Sequence, residues 1–273
     1  MLIFLDNKRL ILSRRNLLDS YNFSGIPGYG GGCSVIAARI TRLLLELQDL
    51  LNIRGNIVEI GVLTGAFFGL IHYFRKTNEF TIGIDCYPEN LSPPNGEKTP
   101  GWLDSLETIA LNWIKDNSCG LEGTLFMNRD SNTIKSHEIT SIGDPQAVRF
   151  FHVDGDHTEN TAFNDFNLAG ESLCDGGILV VDDYSDPFSP GVSVAFTRYM
   201  LQEGKNHFIP IAIGGNKHFL VKGPKGKLFS ELLRKRSNMF QTCKWTVEWW
   251  GETIPAFNHD SLELKPIILN LDE

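Results

Sequence analysis

Apolar residues along this chain fall into helical and strand patterns that alternate. From Ser34 to Leu51, apolar residues recur at steps of three and four behind a serine, which predicts a capped amphipathic helix. Residues 56–61 and 80–85 are short apolar runs, and the segment 66–75 between them has helical spacing. Because parallel strands need a crossover helix between them, this order predicts a βαβ unit.

The alternation continues through the middle of the chain. Its strand runs are continuously apolar, which is expected when helices cover both faces of a sheet. Gly214-Gly215-Asn216 separates two apolar runs between residues 207 and 221, and this pattern predicts an antiparallel hairpin. The predicted fold class is therefore α/β, a doubly wound, mostly parallel sheet with an antiparallel hairpin at one edge. Further strands are expected at 124–127, 148–153 and 177–181, and further helices at 104–115 and 160–173.

These patterns divide the chain into three segments. We expect an N-terminal helical and loop segment at 1–55, the alternating core at 56–222, and an extension packed on the core at 223–273. Trp245, Trp249, Trp250 and Phe257 in the extension favour packing in the core or between subunits of a homo-oligomer, with an apolar binding surface as the alternative. Stretches rich in Gly and Pro predict loops at 25–32 and 91–101.

Composition and charge exclude several classes of protein. The 273 residues carry a formal net charge of -8, which argues against coating nucleic acid or an anionic membrane. No window approaches the roughly 20 apolar residues of a membrane helix, and Asp6 interrupts the N-terminal apolar run before a signal-peptide core forms. We therefore expect a cytoplasmic protein. The five cysteines lack a CxxC pair, which excludes a disulfide framework and a zinc knuckle.

The first candidate site residues lie where the strands end, because open α/β sheets bind ligands beyond the carboxyl ends of their strands. After the first strand, Gly61 and Gly65 let the backbone approach a ligand closely beside a helix N-terminus. Asp85 ends the next strand, where a carboxylate can bind ribose hydroxyls. A turn glycine or a capping aspartate explains either feature alone. Together they favour a cofactor that contains a nucleoside.

Two later strands end in a concentration of acidic residues. The first continues into Asp154-Gly155-Asp156-His157, and the second into Asp182-Asp183-Tyr184. Such carboxylates repel one another unless a cation or a partner is present. Asp154, Asp182 and Asp183 offer the hard oxygen ligands that suit Mg²⁺ or another divalent cation.

These motifs resemble class I S-adenosylmethionine-dependent methyltransferases, and among them the metal-dependent O-methyltransferases of macrolide sugars, of the macrocin and mycinamicin type. The resemblance covers residues 58–200 and is carried by the DGDH and DDY motifs and by the segment 190–195. It implies a Rossmann-like core that binds S-adenosylmethionine, and a small-molecule hydroxyl acceptor such as a sugar of a natural product. By matching motif, it assigns the cofactor to Glu59, Gly61, Gly65, Asp85, Asp130 and Ser131, the divalent cation to Asp154, Asp182 and Asp183, and catalysis to His157, as general base, with Asp154.

Departures from the family pattern leave the acceptor open. Thr158-Glu159 stands where the family often has a tyrosine and an acid, and Phe67 stands where a small hydroxyl residue is common. His157 also has the alternative of a purely structural, oriented histidine. Two other functions remain as alternatives: a nucleotide-binding or sugar-binding module with a degenerate site, and an NAD(P)-dependent oxidoreductase. The spacing of the glycines and the absence of a Tyr-x-x-x-Lys pair on a predicted helix argue against the oxidoreductase.

Overall fold

The structure is a computed structural model that describes residues 33–87, 106–143, 147–204, 207–243 and 245–257. Within these ranges, nine strands form one sheet with the order β3-β2-β1-β4-β5-β7-β6-β9-β8. The strands are β1 (Asn56–Ile60), β2 (Thr81–Asp85), β3 (Thr124–Asn128), β4 (Val148–Val153), β5 (Leu173–Val181), β6 (Phe208–Gly214), β7 (Lys217–Lys222), β8 (Trp245–Trp249) and β9 (Glu252–Phe257). The helices are α1 (Val35–Leu50), α2 (Ala66–His72), α3 (Leu106–Asn117), α4 (Ser136–Thr140), α5 (Glu159–Ser172), α6 (Pro190–Gln202), α7 (Lys225–Arg236) and α8 (Met239–Thr242).

The predicted fold class is confirmed. Strands β1 to β5 are parallel, with β4 between β1 and β5 at the centre of the sheet. The hairpin β6–β7 is antiparallel and joins β5 through β7, as its Gly-Gly-Asn turn predicts. Strand β9 then pairs with β6, and β8 pairs with β9, so the C-terminal segment extends this side of the sheet.

Helices cover both faces of the sheet, which explains the continuously apolar strands. Phe150 and Phe151 are neighbours on β4 and are both fully buried, but they belong to different apolar cores. One core is shared with α1, α2, α3 and α7, and the other with α5 and α6. Successive side chains of a strand point to opposite faces, so a strand buried on both faces is mostly apolar, and its buried polar side chains, such as Arg149 and His152 of β4, have hydrogen-bond partners.

Several element boundaries differ from the sequence-based expectations. The helix predicted for 66–75 ends at His72, and the one predicted to end at residue 115 ends at Asn117. Strand β5 begins at Leu173 rather than at residue 177, because a bulge separates the pair Val148 and Leu173 from the pair Phe150 and Ile178. Asp175 and the two glycines that follow it give no strand signal, yet the neighbouring β4 pairs on both sides of them. The predicted loops at 25–32 and 91–101 lie outside the described residues.

The C-terminal strands carry the aromatic residues that the sequence left without a role. Phe257 is buried in the core, whereas Trp245 is exposed. Trp249 packs with its ring centroid 5.5 Å from that of Tyr184 and 5.9 Å from that of Phe196. Trp250 also packs against an apolar core, so packing accounts for three of the four aromatic residues. No helix in the described ranges is both long enough and apolar enough to cross a membrane.

Candidate active site

A crevice of about 650 Å³ opens at the carboxyl ends of the parallel strands. Its walls come from the residues that follow β1, β2, β3 and β4, together with Lys217 of β7. This is the edge at which open α/β sheets bind ligands. Seven of the residues assigned from the sequence line the crevice: Glu59, Gly61, Asp85, Asp130, Ser131, Asp154 and His157. Gly65, Asp182 and Asp183 are not among its lining residues.

Gly61 lets the ends of β1 and β4 approach each other. Its φ is +83°, and a Cβ atom at this position would lie 1.7 Å from the backbone oxygen of Asp154. Gly65 has a similar φ of +82°, but a Cβ atom there would lie 2.7 Å from the side chain of Ile114 on α3. Gly61 therefore shapes the crevice directly, while Gly65 serves the packing of α2 against α3.

Asp85 fixes the loop between β1 and α2. One of its carboxylate oxygens accepts a hydrogen bond of 2.9 Å from the backbone N–H of Leu63, and the other accepts one of 2.9 Å from Tyr87. Leu63 has a φ of +48°, which is unusual for a residue with a side chain. The carboxylate thus holds a strained backbone in place at the edge of the crevice.

The wall that follows β3 is a short 3-10 turn over Ser131–Thr133, capped by Asp130. The carboxylate of Asp130 accepts hydrogen bonds of 2.9 Å from the backbone and from the side-chain amide of Asn132. The side chain of Asp165 on α5 is buried behind this wall, and its carboxylate lies beside Gly155. Burial raises the pKa of Asp165 to about 7, and the hydroxyl of Ser131 opposes this shift.

The acid and histidine group at the ends of β4 and β5 faces the crevice through Asp154 and His157. Nε2 of His157 lies 3.2 Å from a carboxylate oxygen of Asp183 and 3.7 Å from one of Asp154. Its Nδ1 forms a hydrogen bond of 3.1 Å with the hydroxyl of Ser189, just before α6. The hydrogen bond with Asp154 is the main cause that raises the pKa of His157, and the charge of Asp183 adds to it, although partial burial acts to lower this pKa. The imidazole is therefore oriented at both nitrogens.

Asp182 takes part in a buried network beneath this group. Lys217 donates from Nζ to one carboxylate oxygen of Asp182, and the other oxygen accepts the backbone N–H of Asp183 at 3.0 Å. Burial is the largest influence on the pKa of Asp182 and acts to raise it, but the charge of Lys217 together with the hydrogen bond and charge of His152 holds this pKa below its usual range. On β4, His152 lies between this pair and Glu59, with Nδ1 2.9 Å from Oε1 of Glu59.

The electrostatics of the group suit a divalent cation. Burial and the neighbouring charge of Asp182 raise the pKa of Asp154 to about 7, so Lys217, His157 and His152 compensate its ionised form only in part. Atoms that could hold a metal ion lie within 4.8 Å of one another in Asp154, His157 and Asp183, and also in His152, Asp154 and Asp182. Asp154 is common to both groups. The carboxylates present thus fit Mg²⁺ or a similar ion, with the difference that Asp182 already has Lys217 as its partner.

No motif in the sequence assigns a role to Lys217, His152 or Asn216. Asn216 donates a hydrogen bond of 2.7 Å from its side chain to Asp183. Phe67, which departs from the family pattern, lies with its ring centroid 4.2 Å from that of His152 and 4.8 Å from Nζ of Lys217. A phenyl ring therefore covers the buried charges where a small hydroxyl residue would leave them open to water.

Comparison with known proteins agrees with this geometry. Residues 58–184 match the model of a family described as a methyltransferase domain. The resemblance to class I methyltransferases is confirmed. The matched segment runs from β1 to Tyr184, so it includes both acidic strand ends and the residues that line the crevice except Lys217. No curated protein matches the chain.

Solved structures with a similar fold include two O-methyltransferases. The apo structure of CalS11, described as a TDP-rhamnose 3'-O-methyltransferase of calicheamicin biosynthesis, is 16% identical, with 68% of this chain and 79% of that chain covered and a TM-score of 0.50. The O-methyltransferase NovP is 15% identical, with the same two coverages and a TM-score of 0.54. At such low identity the likeness extends to the fold alone.

Proposed function

We propose that the protein is an S-adenosylmethionine-dependent O-methyltransferase that requires a divalent cation such as Mg²⁺ and methylates a hydroxyl of a small molecule, for example a sugar of a natural product. One observation carries the proposal: residues expected around the cofactor and the pair Asp154 and His157 line the same crevice. The match to a methyltransferase domain supports it, and so does the fold shared with CalS11, whose description names a sugar O-methyltransferase.

In the proposed reaction, the acceptor oxygen forms a bond to the methyl carbon as the bond from that carbon to the sulfonium sulfur breaks. The protein must therefore hold the oxygen and the sulfonium in line. We assign the placement of the cofactor to the loop that Asp85 fixes, to the backbone at Gly61, and to Asp130 and Ser131 at the other end of the crevice. The acceptor then approaches from the side of Asp154 and His157.

The acceptor hydroxyl must lose its proton during transfer. If its pKa resembles that of water, about 15.7, deprotonation by a histidine of pKa about 6.5 is uphill by roughly 12 kcal/mol. A divalent cation bound at the strand-end carboxylates would supply the missing acidification of the hydroxyl. His157 receives the proton in this scheme, and its contacts with Ser189 and Asp183 orient the ring for that role.

A thermal-shift experiment with three ligands tests the class of cofactor. S-adenosylmethionine and S-adenosylhomocysteine should each raise the unfolding temperature, because they bind the folded state, whereas NADH should not. Stabilisation by NADH alone would replace the proposal with a hydride-transfer enzyme. Stabilisation by the first two ligands without turnover on any hydroxyl compound would leave a binding module.

A methyl-transfer assay on a panel of sugars and glycosides tests the roles of the acidic site. We expect EDTA and Asp154→Asn to abolish transfer while S-adenosylhomocysteine binding changes little. His157→Ala should lower kcat by about 10² to 10⁴-fold and change affinity less. Asp116→Asn on the exposed surface of α3 is the matched control for loss of a carboxylate. Full activity in EDTA would remove the cation from the proposal.

A further inference from the structure

Two consecutive residues of the hairpin β6–β7, Asn216 and Lys217, contact the two consecutive acidic residues that follow β5. His218 of β7 pairs with Val181 at the end of β5, so the residues before His218 lie next to those after Val181. As a result, Lys217 contacts Asp182 and Asn216 contacts Asp183. A polar turn at the end of an ordinary hairpin thereby becomes part of the strand-end group.

Helix α1 holds this turn in position. A Cβ atom on Gly214 would lie 2.3 Å from the side chain of Ile40, and one on Gly215 would lie 2.4 Å from the hydroxyl of Ser34, the N-cap of α1. The turn is therefore packed against the helix without room for a side chain. Lys217 and Asn216 start from a backbone that cannot easily shift.

Lys217 has little alternative to its contact with Asp182. The side chain is buried, its Nζ lies 3.0 Å from Nε2 of His152, and the ring of Phe67 covers it. An ion bound to the contacted oxygen of Asp182 would displace the ammonium into these surroundings, where an uncompensated charge is strongly unfavourable. Asp154 and Asp183 differ, since each has a carboxylate oxygen that faces His157.

We propose that Lys217 is the permanent partner of Asp182, so that the divalent cation of this site is held by Asp154 and Asp183 and not by Asp182. Lys217 is a positioning residue in this arrangement, and Asn216 orients the carboxylate of Asp183. The inference rests on the proposed function, which supplies the reason for a cation. It changes the ligand set expected from the sequence, in which all three aspartates bind the ion.

Binding of Mn²⁺, measured by calorimetry and by electron paramagnetic resonance, tests the ligand set without reference to activity. The decisive variant is Asp182→Asn combined with Lys217→Met, because it removes one negative and one positive charge together. We expect its Mn²⁺ affinity to stay within about threefold of the wild type, whereas Asp154→Asn and Asp183→Asn each lose about tenfold or more. A loss of about tenfold in the double variant would make Asp182 a ligand and overturn the proposal, as would a wild type that binds no Mn²⁺.

Two further measurements keep the result interpretable. If the double variant does not fold, anomalous diffraction from wild-type crystals soaked in Mn²⁺ decides: an ion on Asp154 and Asp183 with Lys217 still on Asp182 supports the proposal, and an ion on Asp182 overturns it. Binding of S-adenosylhomocysteine is measured on the same wild-type sample. Its absence would refute the proposed function, while Mn²⁺ affinity would still report on the ligand set.

Discussion

Replacement of Gly61 by alanine tests whether the close approach of β1 and β4 builds the crevice. The new Cβ atom would lie 1.7 Å from the backbone oxygen of Asp154 and 2.5 Å from its carbonyl carbon. Real Cβ contacts shorter than 3.0 Å are essentially never seen, so the two strand ends must separate by more than 1 Å. This movement displaces Asp154 itself.

The expected loss of stability has two parts. A residue with a side chain in the left-handed region costs roughly 1–2 kcal/mol, and forcing extra atoms into a packed site costs about 1–3 kcal/mol more. We therefore expect Gly61→Ala to lower the free energy of unfolding by about 2–5 kcal/mol. A displacement of about 1 Å at a reaction site can also reduce activity by about 100-fold, and we expect a loss of that order in methyl transfer.

Gly120→Ala is the matched control, because it separates the backbone conformation from the clash. Gly120 has a φ of +89°, and nothing lies within 4 Å of its Cβ position. Urea unfolding and calorimetry with S-adenosylhomocysteine should show the strain alone in Gly120→Ala, with affinity unchanged. If Gly61→Ala matches this control in both stability and affinity, the approach of the two strand ends does not shape the cofactor site.

Three further predictions concern the walls of the crevice and the core beneath it. The pKa of Asp165 is about 7 in the folded state against an ordinary value of 3.8. The free energy by which Asp165 destabilises the folded state therefore grows from about pH 4 to pH 7. Asp165→Asn should thus stabilise the protein at pH 8 by up to about 4 kcal/mol and hardly at pH 4, and an equal gain at both values in urea unfolding would contradict this origin. Asp85→Ala should weaken S-adenosylhomocysteine binding about tenfold or more in calorimetry, since the backbone at Leu63 loses its acceptor; unchanged affinity would contradict the role of Asp85 in fixing the loop. Arg149→Met should cost about 3–5 kcal/mol in thermal unfolding, because the buried carboxylate of Glu79 loses its partner, and a loss below 1 kcal/mol would contradict the importance of this pair.

The sequence predicts the sheet well because the strands are buried on both faces. A strand such as β4 is recognised by its mostly apolar sequence, which Arg149 and His152 interrupt, and its end is marked by the first acidic residue. The common edge of parallel strands then brings Glu59, Asp85 and Asp154 together without any knowledge of the packing. The bulge at the start of β5 leaves no such mark, since it depends on the pairing with β4.

The partners of the buried acids could not be predicted in the same way. Lys217 reaches Asp182 only through the register of β7 on β5, and a shift by one residue would turn its side chain to the other face of the sheet. Likewise, His152 contacts Glu59 because these two residues are paired in register on β4 and β1. Local patterns contain no information on register between distant strands. The charges of the aspartates predict that a cation compensates them. For Asp182, the fold provides that cation as the ammonium of Lys217.

The edge-to-face contact of Trp249 with Tyr184 connects the C-terminal strands to the site at which we propose that methyl transfer occurs. Tyr184 directly follows Asp183. Trp249 of β8 therefore packs against the segment that follows β5 and supports its position. Grafting a different tail onto the same core would then alter the reaction site without changing any residue in it. In an engineered chimera, the natural place to cut is therefore beyond residue 257 rather than after β7.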